Sequence, residues 1–236
     1  MNNSTIVLKI KERLNKLDSK DYDNLQCWQI VEAFNKGMTE LCRENSRGIN
    51  ITREGDEQSI SRIDDLQVLI ADPLILTLVD KGIFYQTSDI NWPKNYLRYK
   101  GINATIIREC CEEPKSVNFY LGEEANKEIY LRDSNKKPSY EWGESFLTIT
   151  GNKLNLYHDK QFEIDEAFFV YYRQPRKIEI IKCKDPYTNL IPTVDVECEF
   201  QDDLIEVFID KAAAILAGDM ESVQKGRLDQ DIEKSN

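Results

Sequence analysis

The chain has 236 residues, 41% of them hydrophobic and 31% charged, and a formal net charge of −11. That length suits one large or two small domains with a real core, and the composition is that of an ordinary soluble globular protein. No apolar run approaches the length of a membrane span, and the acidic balance is wrong for a general nucleic-acid footprint, so neither a transmembrane helix nor a DNA-coating surface is expected.

Residues 1–70 read as a helical part. Ser4 or Thr5 caps a first helix, with Ile6, Ile10, Leu14 and Leu17 on one side. Asp21 or Asp23 caps a second, in which Leu25, Trp28, Val31, Phe34, Met38 and Leu41 recur every three or four positions. The two are expected to form an antiparallel pair. Ile6, Val7 and Leu8 run directly into Lys9, Lys11 and Arg13, which is not a secretory layout, so a cytosolic protein is expected. Residues 47–59 are polar and loop-like, and 60–70 read as either a short helix or a strand.

Residues 71–199 read as a β-rich domain. Leu74 to Val79 and Ile83 to Tyr85, split by Asp80-Lys-Gly82, predict a hairpin. Trp92 to Tyr99, with Pro93 second, predicts one helical turn. Strands are expected from Ile102 to Glu109, Ser116 to Leu121, Glu128 to Leu131, Phe146 to Ile149, Leu154 to Tyr157 and Ala167 to Arg173. Their spacing of roughly ten residues is that of an antiparallel sandwich or barrel. A long connection holding Pro186 and Pro192 follows, with one possible strand at Ile178 to Lys182.

Residues 200–219 predict a C-terminal helix. Leu204, Phe208, Ala212 and Ile215 share a face that Ile205, Ile209 and Leu216 widen, and Gly218 is the expected stop. This helix is expected to pack on the N-terminal ones. Residues 220–236 form a polar tail, either disordered or ordered only against a partner. Its apolar side chains, Met220, Val223, Leu228 and Ile232, make a stripe too sparse for a core and suited to a neighbour's groove. The order is helices, β-domain, helix. The class is therefore α+β: a helical bundle formed by the N- and C-terminal helices with an inserted antiparallel β-sandwich or barrel.

Charge is unevenly placed. Residues 1–20 carry a net +3, and residues 170–184 carry Arg173, Arg176, Lys177, Lys182 and Lys184 against Glu179 alone, a net +4. Such segregation suits head-to-tail contact between copies, and these five cations are candidate interface residues. Solvated faces are an equally good account of the same pattern.

No residue earns a catalytic, cofactor-binding or metal-binding assignment. The six cysteines lack paired spacing, and buried free thiols are the favoured state. His158, the one histidine, reads as a surface turn residue rather than a base. Glu141, Glu144, Asp165 and Glu166 lie near Tyr140 and Trp142, but with 42 acidic residues in the chain such a grouping arises by chance. Phosphate-binding glycine loops are absent. Trp92, Tyr96, Arg98, Tyr99 and Lys100 mix aromatic and basic residues; packing is favoured over a base-stacking or sugar-binding role.

Three stretches resemble the head-to-tail connector, or ring, proteins of crAss-like short-tailed phages: Trp92 to Tyr99 (WPKNYLRY), Pro138 to Trp142 (PSYEW), and Phe169 to Lys177 (FVYYRQPRK) together with Asp202 to Asp219. The order of elements is similar to that of tail-tubular connectors, with both chain ends in one helical bundle. The resemblance covers most of residues 20–220 and rests on packing and turn patterns. It implies a virion structural protein without catalytic residues, assembled in the host cytoplasm. About a dozen copies would form a ring below the portal, touching the portal or adjacent ring or tail proteins. DNA would pass through the lumen during genome ejection without sequence-specific binding, and no membrane is involved. A carbohydrate-binding or glycan-cleaving protein using the β-domain is the alternative.

Overall fold

A computed structural model describes residues 1–17, 25–46, 66–88, 92–108, 111–187 and 189–234; along 15–17, 45–46, 111–113 and 219–234 it describes backbone alone. The class is mixed α+β. The chain divides into two compact units, a helical one from Met1–Val68 with Pro175–Asn236 and a sheet unit from Leu69–Gln174. The β-rich part therefore ends at Gln174, and residues 175–199 belong to the helical unit.

In the helical unit, α1 (Asn3–Leu17) and α2 (Cys27–Ser46) both pack on the long α4 (Asp202–Lys234). Asn2, not Ser4 or Thr5, caps α1: its Oδ1 accepts from Thr5 N and Oγ1 at 2.8 and 2.7 Å. Asp21 and Asp23 lie outside the described residues, as do residues 47–65. At the start of α2, Gln26 N donates to Gln29 Oε1 at 2.9 Å, the reciprocal half of a capping box.

Contacts advance in the same sense along both helix pairs. Arg13 of α1 reaches Glu206 and Asp210, with Lys9 also on Glu206. In α2, Phe34 meets Phe208 edge-on at 6.0 Å, and Gly37 lies against Lys211 and Ala212. Both helices thus share the direction of α4, and the expected antiparallel pair does not form. Amphipathic faces specify which sides meet, not which way the helices run.

The buried face of α2 is also rotated from the expected one. Ile30, Ala33, Phe34, Met38 and Cys42 are buried, while Trp28, Val31 and Leu41 are half-buried. The small residues Ala33 and Gly37 admit α4 closely, a signal that a count of large apolar residues overlooks. On α4 the buried set is Ile205, Phe208, Ile209, Ala212, Ala213 and Leu216. The expected stop at Gly218 is corrected: the helix runs on to Lys234. One exposed helical glycine costs only about 1 kcal/mol against alanine, too little to end a helix that neighbouring residues favour.

The sheet unit holds β1 (Leu74–Ile75), β2 (Leu78–Asp80), β3 (Phe84–Thr87), β4 (Tyr96–Arg108), β5 (Cys111–Leu121), β6 (Glu144–Thr150), β7 (Lys153–Tyr157) and β8 (Glu163–Arg173). They make one sheet in the order β1-β8-β4-β5-β6-β7-β3-β2. Only Leu76 and Thr77 separate the two edge strands in sequence, a reach of about 11 Å. A flat eight-stranded sheet would hold its edges about 34 Å apart. The sheet must therefore curl towards a half-barrel.

Pairing is antiparallel except for β5 with β6, which is parallel. A parallel neighbour needs a crossover, and residues 122–143 supply it with a 3₁₀ turn (Glu124–Asn126) and α3 (Lys127–Arg132). The strand expected over 128–131 is thus a helix. Its Ile-Tyr-Leu core looks β-like, but Glu124, Ala125, Lys127, Glu128 and Arg132 around it are helix formers.

Trp92–Tyr99 is likewise not a helical turn. A tight turn closed by Tyr96 N donating to Pro93 O at 3.1 Å leads straight into β4. Register shifts in β4 at Tyr96/Arg98 and Tyr99/Gly101 bring Tyr96 and Tyr99 to one face, where both rings stack on buried Phe169. The inner face also buries Ile102, Ile106, Val117, Leu147, Leu156 and Phe162. The outer face of β6 and β7 carries a second aromatic layer, in which Phe146 stacks on Tyr157 at 4.3 Å and Tyr130 of α3 covers Phe146.

Candidate interaction surfaces

Four of the five sequence-predicted cations sit together. Residues 175–200 form a strap along the helical unit, and Arg176, Lys177, Lys182 and Lys184 are all exposed on it. Arg173 ends β8 in the sheet unit instead. The side chains of Met220, Val223, Leu228 and Ile232 lie outside the described residues; their backbone continues the helix α4.

The strap has almost no ladder of its own, so side chains satisfy it. Asn35 of α2 pairs both ways with Ile178, whose N donates to Oδ1 at 2.9 Å and whose O accepts from Nδ2 at 3.2 Å. Buried Asn3 of α1 donates from Nδ2 to the carbonyls of Glu179 and Val196 at 2.9 and 3.0 Å, the two residues of a β-bridge within the strap. Cys183 is disulfide-bonded to Cys27 with Cα atoms 5.7 Å apart, which corrects the expectation that all six cysteines are free. Sequence spacing carried no hint of a pair 156 residues apart. Cys42, by contrast, is a buried thiol whose surroundings push its pKa up to about 12, so it is not a nucleophile near neutral pH.

Three of the strap's five acidic side chains accept hydrogen bonds from its backbone, while Glu179, Asp195 and Glu197 are exposed. Asp195 accepts from Ile181 N at 2.8 Å, Asp185 from Tyr187 N at 2.9 Å, and Glu199 from Arg176 N at 2.9 Å. The strap cations make no ion pair among the described residues. Beside them Ile181, Tyr187, Leu190, Ile191 and Val194 are exposed. Sequence reasoning missed this apolar half because Leu190, Ile191 and Val194 follow no helical or strand period.

A second surface lies on the sheet unit at the turn 139–143. Lys115 Nζ donates to the carbonyls of Tyr140 and Glu141 at 2.8 and 2.7 Å. The cations of Arg108 and Lys115 each lie over the Tyr140 ring, at 5.4 and 5.3 Å. Gly143, at φ +65°, is hemmed in by Ser116 O and donates its N–H to Ser139 O. This fixed turn presents Trp142 81% exposed, with exposed Glu141 and Glu144 on either side in sequence.

The carboxylates weighed for catalysis fall at two places on the sheet. Glu141 and Glu144 are at β6, whereas Asp165 and Glu166 are exposed on β8, three strand spacings or about 14 Å along the sheet.

His158 is not the surface residue expected. It is 7% exposed, packed on the Tyr85 ring at 4.8 Å, and burial pushes its pKa down. Its Nδ1 accepts from Lys160 N at 3.2 Å, which leaves the proton on Nε2, 3.8 Å from Asp80 Oδ1. The Trp92 aromatic group is packing: Trp92 lies 4.5 Å from Tyr96, and Tyr99 Oη donates to Phe119 O at 2.9 Å.

Another polar cluster joins Gln86, Asn155, Thr148 and Glu124 across β3, β7 and β6. Burial pushes the Glu124 pKa up, but hydrogen bonds from Lys127 and Thr148 outweigh it and hold it below the usual carboxylate range. Each member has a partner, so the cluster fastens the 3₁₀ turn to the sheet. Among the described residues no helix is long and apolar enough to cross a membrane, and no group of three or more His, Cys, Asp or Glu is placed to hold a metal.

Compared with known proteins, the chain matches no protein-family model and no curated protein sequence.

Proposed function

We propose that this chain is a virion structural protein that forms a ring in the head-to-tail connector of a short-tailed phage, below the portal, with the genome passing through the lumen. The observation that carries the reading is the chain's organisation. Both chain ends build one helical unit, and residues 69–174 form a separate compact unit inserted between them. A helical unit made by both chain ends around a separate sheet unit is compatible with the plan that the resemblance to connector proteins implies. The surfaces support it too: two prominent features are a basic–apolar strap and an acidic–aromatic turn, which suit protein contact. A ring needs two different patches per copy, and an acidic chain does not grip passing phosphates. Localisation in the virion, after assembly in the host cytoplasm, belongs to the same proposal.

Mass photometry of the purified chain, alone and with portal protein, tests it. A closed species of about ten to fifteen copies is expected. A chain that remains a monomer in both conditions overturns the proposal. The exposed Trp142 supports a second reading, a sugar-stacking platform on the sheet unit. A monomer that binds glycans, and loses them on Trp142→Ala, would put that reading first.

A further inference from the structure

We infer that the turn 139–143 of one copy docks on the strap 175–194 of the next, acidic–aromatic side to basic–apolar side. The inference rests on the ring reading and names its contact.

Three observations point to a second copy as the occupant. The first is preorganisation. Trp142 stands 81% exposed on a turn already fixed by Lys115, by the Tyr140 ring with two cations over it and by Gly143. Little freedom remains to be lost on binding, which is the condition under which an aromatic anchor contributes most.

The second is charge. Glu141 and Glu144 flank Trp142 in sequence, and neither makes an ion pair among the described residues. An exposed indole with exposed carboxylates one and two residues away in sequence favours a cationic surface, since the ring quadrupole and both acids attract the same sign. The strap offers that surface over 176–184, where exposed Arg176, Lys177, Lys182 and Lys184 stand against Glu179 alone. Tyr187, Leu190 and Ile191 beside them give the indole an apolar bed.

The third is placement. Turn and strap belong to different units of the chain, so each copy carries one of each. Turn against turn or strap against strap brings like charges together. Turn against strap is attractive and heterologous, the kind of contact that propagates into a closed ring.

Two variants test this by charge inversion. The first, Glu141→Lys with Glu144→Lys, has a basic turn and a basic strap. The second, Lys182→Glu with Lys184→Glu, has an acidic turn and an acidic strap. Each alone should assemble at least tenfold more weakly than the parent, with an unchanged circular dichroism spectrum. Mixed in equal amounts they should assemble again, because the strap of each then meets a turn of opposite sign on the other. Trp142→Ala should weaken assembly without shifting Tm.

If the parent assembles and either variant alone assembles equally well, the contact lies elsewhere and the ring reading survives. If both variants are folded yet their mixture stays apart, the inference is overturned. A parent chain that stays monomeric at every concentration, alone and with portal protein, removes the inference and the ring reading together.

Discussion

Across the sheet unit, backbone groups find partners in neighbouring strands, and side-chain polar groups add a few stitches, such as Gln86 Nε2 to Asn155 Oδ1 at 2.9 Å. In the helical unit, residues 175–200 have the Glu179–Val196 bridge and a few turn bonds, and they borrow Asn3, Asn35 and Cys27 from the helices. The contrast follows from chain connectivity. The sheet unit is one continuous segment, whereas the helical unit must bring together parts of the chain more than a hundred residues apart. Its irregular strap is held by a few specific side chains, and that strap is also the exposed surface.

The contrast predicts where damage stays. The largest effect should come from Phe208→Asp, which places a charge where α4 meets Phe34 and Phe200. A loss of about 4 kcal/mol or more is expected from the helical unit. Hydrogen exchange should show β4 and β8 still protected; simultaneous loss of both units would break the distinction drawn here.

Asn35→Ala comes next. It strands the N–H and carbonyl of Ile178, for about 2 kcal/mol. Exchange should accelerate across 176–184 while the sheet unit is untouched. Gly122→Ala is the mirror experiment. A Cβ there would lie 2.8 Å from a Tyr130 ring carbon, so about 1–3 kcal/mol should be lost from the sheet unit alone.

The smallest effect concerns pH. Burial lowers the His158 pKa in the folded state, so the unfolded chain binds the proton more readily. The stability this neutral histidine contributes is complete above the unfolded value of about 6.5 and is lost as pH falls through the lower folded one. Melts of the parent and His158→Gln between pH 7.5 and 5 should diverge, with the parent falling more steeply.

Much of this contrast was legible in the residues. Period-3.6 faces at Ile6, Ile10 and Leu14, and at Phe208 and Ala212, marked helices that are buried where expected. The Asp80–Gly82 turn marked the β2–β3 hairpin, with Gly82 N donating to Asp80 Oδ1 at 2.7 Å. What escaped was set by tertiary context. Helix direction, the parallel β5–β6 pair and the Cys27–Cys183 pairing depend on which distant segments meet. Of the candidate contacts, the strap cations were visible as a charge run. The apolar strap residues and the supporting asparagines carry no periodic signature, and Trp142 stood out in sequence only as one aromatic beside acids.

Symmetry tests the central claim most directly. Electron cryomicroscopy of the assembled chain should show a closed ring with a single rotation axis, an open lumen, and each copy's turn 139–143 seated on its neighbour's strap 175–194. A two-fold dimer burying identical patches, or particles no larger than one chain, would contradict the account.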